Sequence, residues 1–141
     1  WVADSFEGLP APDVEAYPAD AAWTRYAGQL AVDLATVRRN FEQYGLLDDQ
    51  VRFLKGWFRD TLASAGIRQL AVLRLDGDYY ESTWEVLTNL YPRLSPGGFV
   101  IVDDYILTSC RQAVNDFRNA FDVTEPIHEI DGYGVYWRRH S

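Results

Sequence analysis

Apolar residues fall along this chain in two kinds of pattern. In DLATVRRNFEQYGLL, residues 33–47, Leu34, Val37, Phe41 and Tyr44 recur every three or four positions. That spacing gathers side chains on one helix face, and Gly45 supplies a stop. The same period joins Tyr80, Trp84, Leu87 and either Leu90 or Tyr91 in YYESTWEVLTNLYPRL. In CRQAVNDFRNAF it turns Ala113, Val114, Phe117 and Phe121 inward, while WFRDTLASAG reads as a shorter helix closed by Gly66. The second pattern is a nearly continuous apolar run, as in QLAVLRLDG (69–77) and FVIVDDY (99–105). Such runs suit strands covered on both faces, as in a parallel sheet. WVAD and VRFLKG read as shorter strands, SPGG (95–98) as a turn, and EPIHEIDGYGVYWRR as two strands joined near Asp131-Gly132. The Pro- and Ala-rich stretch from Pro10 to Pro18 reads as an ordered surface loop.

Strands and helices thus alternate and end in a pair of strands. This predicts an α/β fold whose sheet is mostly parallel, with helices on both faces and an antiparallel strand at the C-terminal edge. With 141 residues the chain fits a single domain, 1–141. In an open sheet of this kind ligands bind outside the carboxyl ends of the strands, which directs attention there.

Composition narrows the classes of partner. The net charge is −8, and Lys and Arg form no stripe, so a phosphate backbone finds no electrostatic footprint and an anionic membrane no attraction. A single cysteine, Cys110, allows no internal disulfide and fits a reducing, cytoplasmic setting. Homo-oligomerisation is left open. The chain has no Met, even at position 1, and opens on what reads as the end of a strand. It is therefore expected to be a fragment lacking an N-terminal portion.

The candidate chemistry sits at the strand ends. A buried strand is an unfavourable place for adjacent acids, because unpaired buried carboxylates strongly disfavour folding. Yet FVIVDDY ends in Asp103 and Asp104, the preceding long strand ends in Asp76 with Asp78 close by, and the first strand ends in Asp4. Asp76 and the Asp103/Asp104 pair lie on consecutive strands of one strand–helix–strand unit and are expected to be neighbours. Three hard carboxylates match the ligand preference of Mg²⁺, Mn²⁺ or Ca²⁺. Helix capping or plain solvation would explain the same residues, and Asp78 in particular precedes a helix whose dipole favours an acid. Asp4 stands where an acid often accepts from a ribose diol, or else opens an Asx turn. Tyr105 after the acid pair is a candidate substrate contact. Trp57 and Phe58 could stack on an adenine or pack in the core. His128 reads as a surface or structural histidine, and Cys110 has no base beside it.

DSFEGLP, VRFLKGWFRDTL, LRLDGDYYESTWEVLTNLYPRLSPGGFVIVDDY, CRQAVNDFR and IDGYGVYWRR, in that order, resemble the macrocin O-methyltransferase family across essentially the whole chain. The resemblance implies a Rossmann-like class I methyltransferase fold, S-adenosyl-L-methionine as methyl donor, a divalent cation (usually Mg²⁺), and a sugar hydroxyl of a natural product, of macrolide or aminocoumarin type, as acceptor. It implies Asp76, Asp103 and Asp104 as metal ligands, Asp76 also as general base, and Asp4 beside the donor's ribose. The family's first strand and glycine-containing donor loop have no counterpart in the sequence, so residues 1–141 correspond to the C-terminal part of the catalytic domain. Two alternatives remain at this level. One is a Mg²⁺-dependent phosphoryl-transfer domain of receiver or phosphatase type, although the acid pair here follows the single acid rather than preceding it. The other is an inactive, partner-binding fragment.

Overall fold

The computed structural model describes residues 1–140. Along them run β1 (Val2–Asp4), α1 (Leu34–Gln43), β2 (Phe53–Lys55), α2 (Phe58–Thr61), β3 (Leu70–Leu75), α3 (Tyr80–Leu90), β4 (Leu94–Val102), α4 (Thr108–Ala120), β5 (His128–Glu129) and β6 (Val135–Arg138). Local chemistry sets several of these limits. Asp33 caps α1, its carboxylate accepting from the Thr36 amide at 3.0 Å and the Thr36 hydroxyl at 2.9 Å. α1 ends at Gln43, four residues before Leu47, with the expected stop Gly45 just beyond it at φ +66°.

β1 pairs in parallel with β2, and β3 in parallel with β4, while β4–β6 and β6–β5 are antiparallel. The α/β class and its antiparallel C-terminal end are as expected. Three details differ. The hydrogen-bonded strands form two sheets, β1-β2 and β3-β4-β6-β5, because no described segment lies between the edges of β1 and β3 to pair with both. A cavity of about 570 Å³, lined by Val2, Ala3, Leu73 and Leu75 among others, lies there instead. β6, the last strand, is interior, and the short β5 forms the edge.

The second difference concerns helix placement. One face of the larger sheet carries Leu73, Leu75, Val100, Val102, Val135 and Trp137, which form a single buried cluster with Leu87 and Leu90 of α3 and Val114 and Phe117 of α4. The other face carries Val72 and Phe99, 51% and 38% exposed. The expected helical cover of both faces is thus realised on one face of this sheet among the described residues.

The third difference is SPGG, expected as a turn before the strand. The residues belong to β4, where the pairing jumps from Leu70↔Leu94 to Val72↔Phe99, so the glycines absorb a bulge. A Cβ on Gly98 would stand 2.8 Å from the Ala71 carbonyl oxygen and from Leu94 Cδ1, which explains why the bulge needs glycine.

Phe117 is the hub of the helical layer: its ring lies 5.2 Å from Tyr91, 6.4 Å from Trp84 and 4.7 Å from Phe121 between centroids. Urea denaturation is expected to show Phe117→Ala losing about 3–5 kcal/mol, with Phe121→Ala, at the exposed end of the same stack, losing about 1 kcal/mol or less.

Candidate active site

Register brings the acids together. Leu75 pairs with Val102, so the next residues, Asp76 and Asp103, leave the sheet side by side. Arg74 bridges them: its Nη2 lies 3.1 Å from Asp76 Oδ2 and also donates to Asp103 Oδ2. All three side chains are at least one-third exposed, and exposed pairs of this kind contribute about 0–1 kcal/mol each, so Arg74 is a readily displaced counter-ion. Asp104 turns the other way, where its Oδ2 accepts from the Asp78 amide at 3.2 Å.

Asp78 is the residue whose part in this cluster sequence reasoning missed. It sits in the left-handed region at φ +56°, a strained position for a non-glycine residue. Burial, then the neighbouring Asp104 and Asp76 carboxylates, push it up to about 6. Burial likewise raises Asp104, with Asp76 and Asp103 adding to the effect and the Asp78 amide opposing it. Asp78 does not cap α3, contrary to the expectation. The cap is Asp20, fully buried, whose Oδ1 and Oδ2 accept from the amides of Tyr80 at 2.7 Å and Glu81 at 3.0 Å.

Asp20 belongs to a 3-10 stretch, Pro18–Tyr26, that continues the expected surface loop. The whole strap closes on itself where Leu9 N donates to Gln29 O and Gly28 N to Leu9 O, with Gly8 packed so closely that a Cβ would lie 2.3 Å from Gln29 O. It is pinned to the site from outside as well. The Trp23 indole donates to Ser109 Oγ at 2.9 Å, Ser109 donates to the Asp78 carbonyl at 3.2 Å, and the buried Tyr79 hydroxyl donates to Pro10 O at 3.2 Å. Pro18 at the start of the stretch was a legible helix-start signal. A cap reaching across some sixty residues has no such signature.

A cavity of about 220 Å³ opens between the strap and the strand ends, bordered by Asp4, Trp57, Phe58, Asp76, Asp78 and Glu81. Asp4 opens an Asx turn, its Oδ1 accepting from the Phe6 amide at 2.5 Å, and it also borders the cavity. Tyr105 borders neither this cavity nor the larger one, and its hydroxyl meets Asn115 Oδ1 at 3.3 Å on α4. His128 is exposed and stacked on Tyr136, ring centroids 5.0 Å apart. Cys110 is buried, which pushes its thiol up to about 12 and leaves it inert as a nucleophile.

For a divalent cation the fit is chemical before it is geometric. The donors are hard oxygens, and the Asp104 and Asp76 carboxylates raise Asp78, a repulsion that a divalent cation would relieve. As oriented, however, no three His, Cys, Asp or Glu side chains among the described residues converge to hold one, and Asp76 and Asp103 are both paired with Arg74.

The macrocin O-methyltransferase model matches residues 1–139. The chain belongs to that family. It is 59% identical over 140 residues to the 8-demethyl-8-(2,3-dimethoxy-alpha-L-rhamnosyl)-tetracenomycin-C 4'-O-methyltransferase of Streptomyces olivaceus, matching 98% of this chain and 54% of that protein. It is 55% identical to the mycinamicin III 3''-O-methyltransferase of Micromonospora griseorubida, over 100% of this chain and 57% of the relative. The solved O-methyltransferase NovP superposes with a TM-score of 0.95 at 53% identity, over the whole of this chain and 60% of NovP. A calicheamicin methyltransferase at 20% identity, TM-score 0.74, shares the fold. The chain therefore spans little more than half the length of its curated relatives. Membership of the macrocin O-methyltransferase family displaces the receiver or phosphatase alternative. Among the described residues no helix is long and apolar enough to cross a membrane.

Within this family member, Glu85 offers a test of the site's electrostatics. Burial, then the adjacent Glu81 carboxylate, raise it from 4.5 to about 7. A carboxyl that holds its proton more tightly when folded loses stabilisation as pH rises from the unfolded value through the folded one. Glu85→Gln removes that loss. Thermal melts are expected to show no advantage for the variant near pH 4, an advantage that grows as the pH rises from 4.5 to about 7, and a plateau above that.

Proposed function

We propose that this chain forms the C-terminal part of the catalytic domain of an S-adenosylmethionine-dependent, Mg²⁺-dependent O-methyltransferase that methylates a sugar hydroxyl of a natural product. The observation that carries the reading is that Asp76 and Asp103 leave paired strands side by side, with Asp104 next in the chain, while Asp76 and Asp4 both border the smaller cavity, in a chain so close to named sugar O-methyltransferases. A third relative, 55% identical, is the demethyldecarbamoylnovobiocin O-methyltransferase of Streptomyces niveus, which extends the range of acceptors in the family to an aminocoumarin.

A sugar hydroxyl is a weak nucleophile, and S-adenosylmethionine supplies a sulfonium-bound methyl group for it to attack in line. Mg²⁺, when held by Asp76, Asp103 and Asp104, supplies the Lewis acidity that makes the hydroxyl easier to deprotonate. The residues of the chain do the rest. Asp4 accepts from the donor's ribose hydroxyls, and the Trp57–Phe58 wall lies against its base. Asp76 has two oxygens, one for ligation and one to accept the hydroxyl proton as general base. Asp78, half-buried beside it, is pushed up to about 6 by burial and by the Asp104 and Asp76 carboxylates. Arg74 occupies the position of a resting counter-ion and gives way when the carboxylates are called to the metal. Holding donor and acceptor in register contributes much of the remaining acceleration.

In the full-length protein Asp76→Asn is expected to lower kcat by at least about a hundredfold, as loss of a general base does. Asp104→Asn is expected to raise the Mg²⁺ requirement by about tenfold or more while leaving donor affinity unchanged, since it removes one ligand charge. Calorimetric titration with Mg²⁺ and S-adenosylmethionine separates the two. Unchanged Mg²⁺ affinity in Asp104→Asn removes the metal assignment, and absence of donor binding in the parent removes the methyltransferase reading.

A further inference from the structure

Ser109 turns its hydroxyl away from its own helix. It stands in the first turn of α4, where a serine ordinarily bonds to nearby backbone, and α4 has no side-chain cap. Instead this buried hydroxyl donates to the Asp78 carbonyl at 3.2 Å and accepts from the Trp23 indole at 2.9 Å. One side chain thus joins the strap, α4 and the turn after β3.

Asp78 is thereby held by both of its backbone polar groups. Its carbonyl accepts from Ser109 and its amide donates to Asp104 Oδ2 at 3.2 Å, and both partners belong to the segment that follows β4. A non-glycine residue at φ +56° keeps that conformation only where its surroundings over-determine it. These two hydrogen bonds are that constraint, and relaxation has one direction open to it. Asp20 fixes the amides of Tyr80 and Glu81 on the C-terminal side. A change in φ at Asp78 therefore has to be taken up by the peptide plane between Gly77 and Asp78. That plane carries the N–H that Asp104 accepts, so turning it leaves the Asp104 carboxylate without this donor.

Resting on the metal-site reading above, we infer that Ser109 is a positioning residue of the metal centre: through the Asp78 backbone it sets the direction of the Asp104 carboxylate, and Trp23 extends that control to the strap. The bonds run in one sense, from Trp23 Nε1–H to Ser109 Oγ, from the Ser109 hydroxyl to Asp78 O, and from Asp78 N–H to Asp104 Oδ2. A hydroxyl that accepts while it donates is polarised into a stronger donor, so Trp23 tightens the bond that Ser109 makes to Asp78. Trp23 itself is braced by the Tyr79 ring, centroids 5.2 Å apart.

A hydroxyl that only pinned the strap would change stability and leave the folded protein's affinity for a cation alone, which separates the two roles. In calorimetric titrations of the full-length protein, Ser109→Ala is expected to bind Mg²⁺ about five- to tenfold more weakly than the wild type, the equivalent of one hydrogen bond of preorganisation. Trp23→Phe keeps a ring against Tyr79 and removes the N–H, and is expected to weaken Mg²⁺ by about threefold. Tyr79→Phe is the control. It takes from the strap the donations to Pro10 O and Trp23 O without touching the bonds that lead to Asp104, and is expected to leave Mg²⁺ affinity unchanged. A second readout needs no metal: the Asp78 amide of the metal-free protein is expected to exchange its hydrogen about fivefold faster in Ser109→Ala than in the wild type. Where Ser109→Ala does not fold, Trp23→Phe against Tyr79→Phe decides alone. Unchanged Mg²⁺ affinity in Ser109→Ala, or equal weakening in Trp23→Phe and Tyr79→Phe, would overturn the inference while leaving the metal site in place. Failure of the wild-type protein to bind Mg²⁺ overturns the metal reading and this assignment with it.

Discussion

Mutual repulsion among carboxylates is the constraint around which this structure is arranged. Parallel pairing of β3 with β4 delivers Asp76 and Asp103 to the same sheet edge, and the next turn of each chain segment adds Asp78 and Asp104. Nothing in a parallel sheet requires four acids there, and burial of two of them works against the charged form. The fold answers with a small set of compensations: a guanidinium between Asp76 and Asp103, and a backbone amide turned toward Asp104. These compensations are weak and local, since the guanidinium and both of its carboxylates are at least one-third exposed.

Around that constraint the molecule divides its labour. The core of β3, β4 and β6 against α3 and α4 is apolar and tightly closed, so the strand ends are held by packing that does not depend on the site's charge state. The ligand-facing walls come from elsewhere: the end of β1, the start of α2, and the strap between β1 and α1. Rigid elements thus carry the acids, while loops carry the surfaces that choose what sits beside them.

Much of this was legible in the sequence, for identifiable reasons. Long apolar runs and helical periods located β3, α3, β4 and α4, because burial in a two-layer core imposes those patterns directly. Acids placed straight after apolar runs anticipated the adjacency of Asp76 and Asp103, because the end of a strand fixes the exit point of the next side chain. What escaped was non-local. SPGG reads as a turn unless the partner strand's register is known, since only pairing with β3 makes it a bulge. Asp78 reads as a helix cap because nothing local reveals that Asp20 has taken that position. Arg74 lies between apolar neighbours and gives no hint that it will bridge two carboxylates, one of them twenty-nine residues away. Tyr105 was drawn to the site by adjacency alone, and the turn after β4 carries it to α4 instead.

Asp20 also has a consequence for how the molecule opens. Its two oxygens satisfy the first two amides of α3, so the strap cannot lift without stranding both amides and uncovering a carboxylate in an apolar setting. The helix opening, in turn, cannot fray without leaving Asp20 buried and unpaired. The two segments are therefore one cooperative unit despite the sixty residues between them, and partial openings of either alone are suppressed. Opening of the strap and fraying of the helix start are then coupled through the solvation of a single buried side chain.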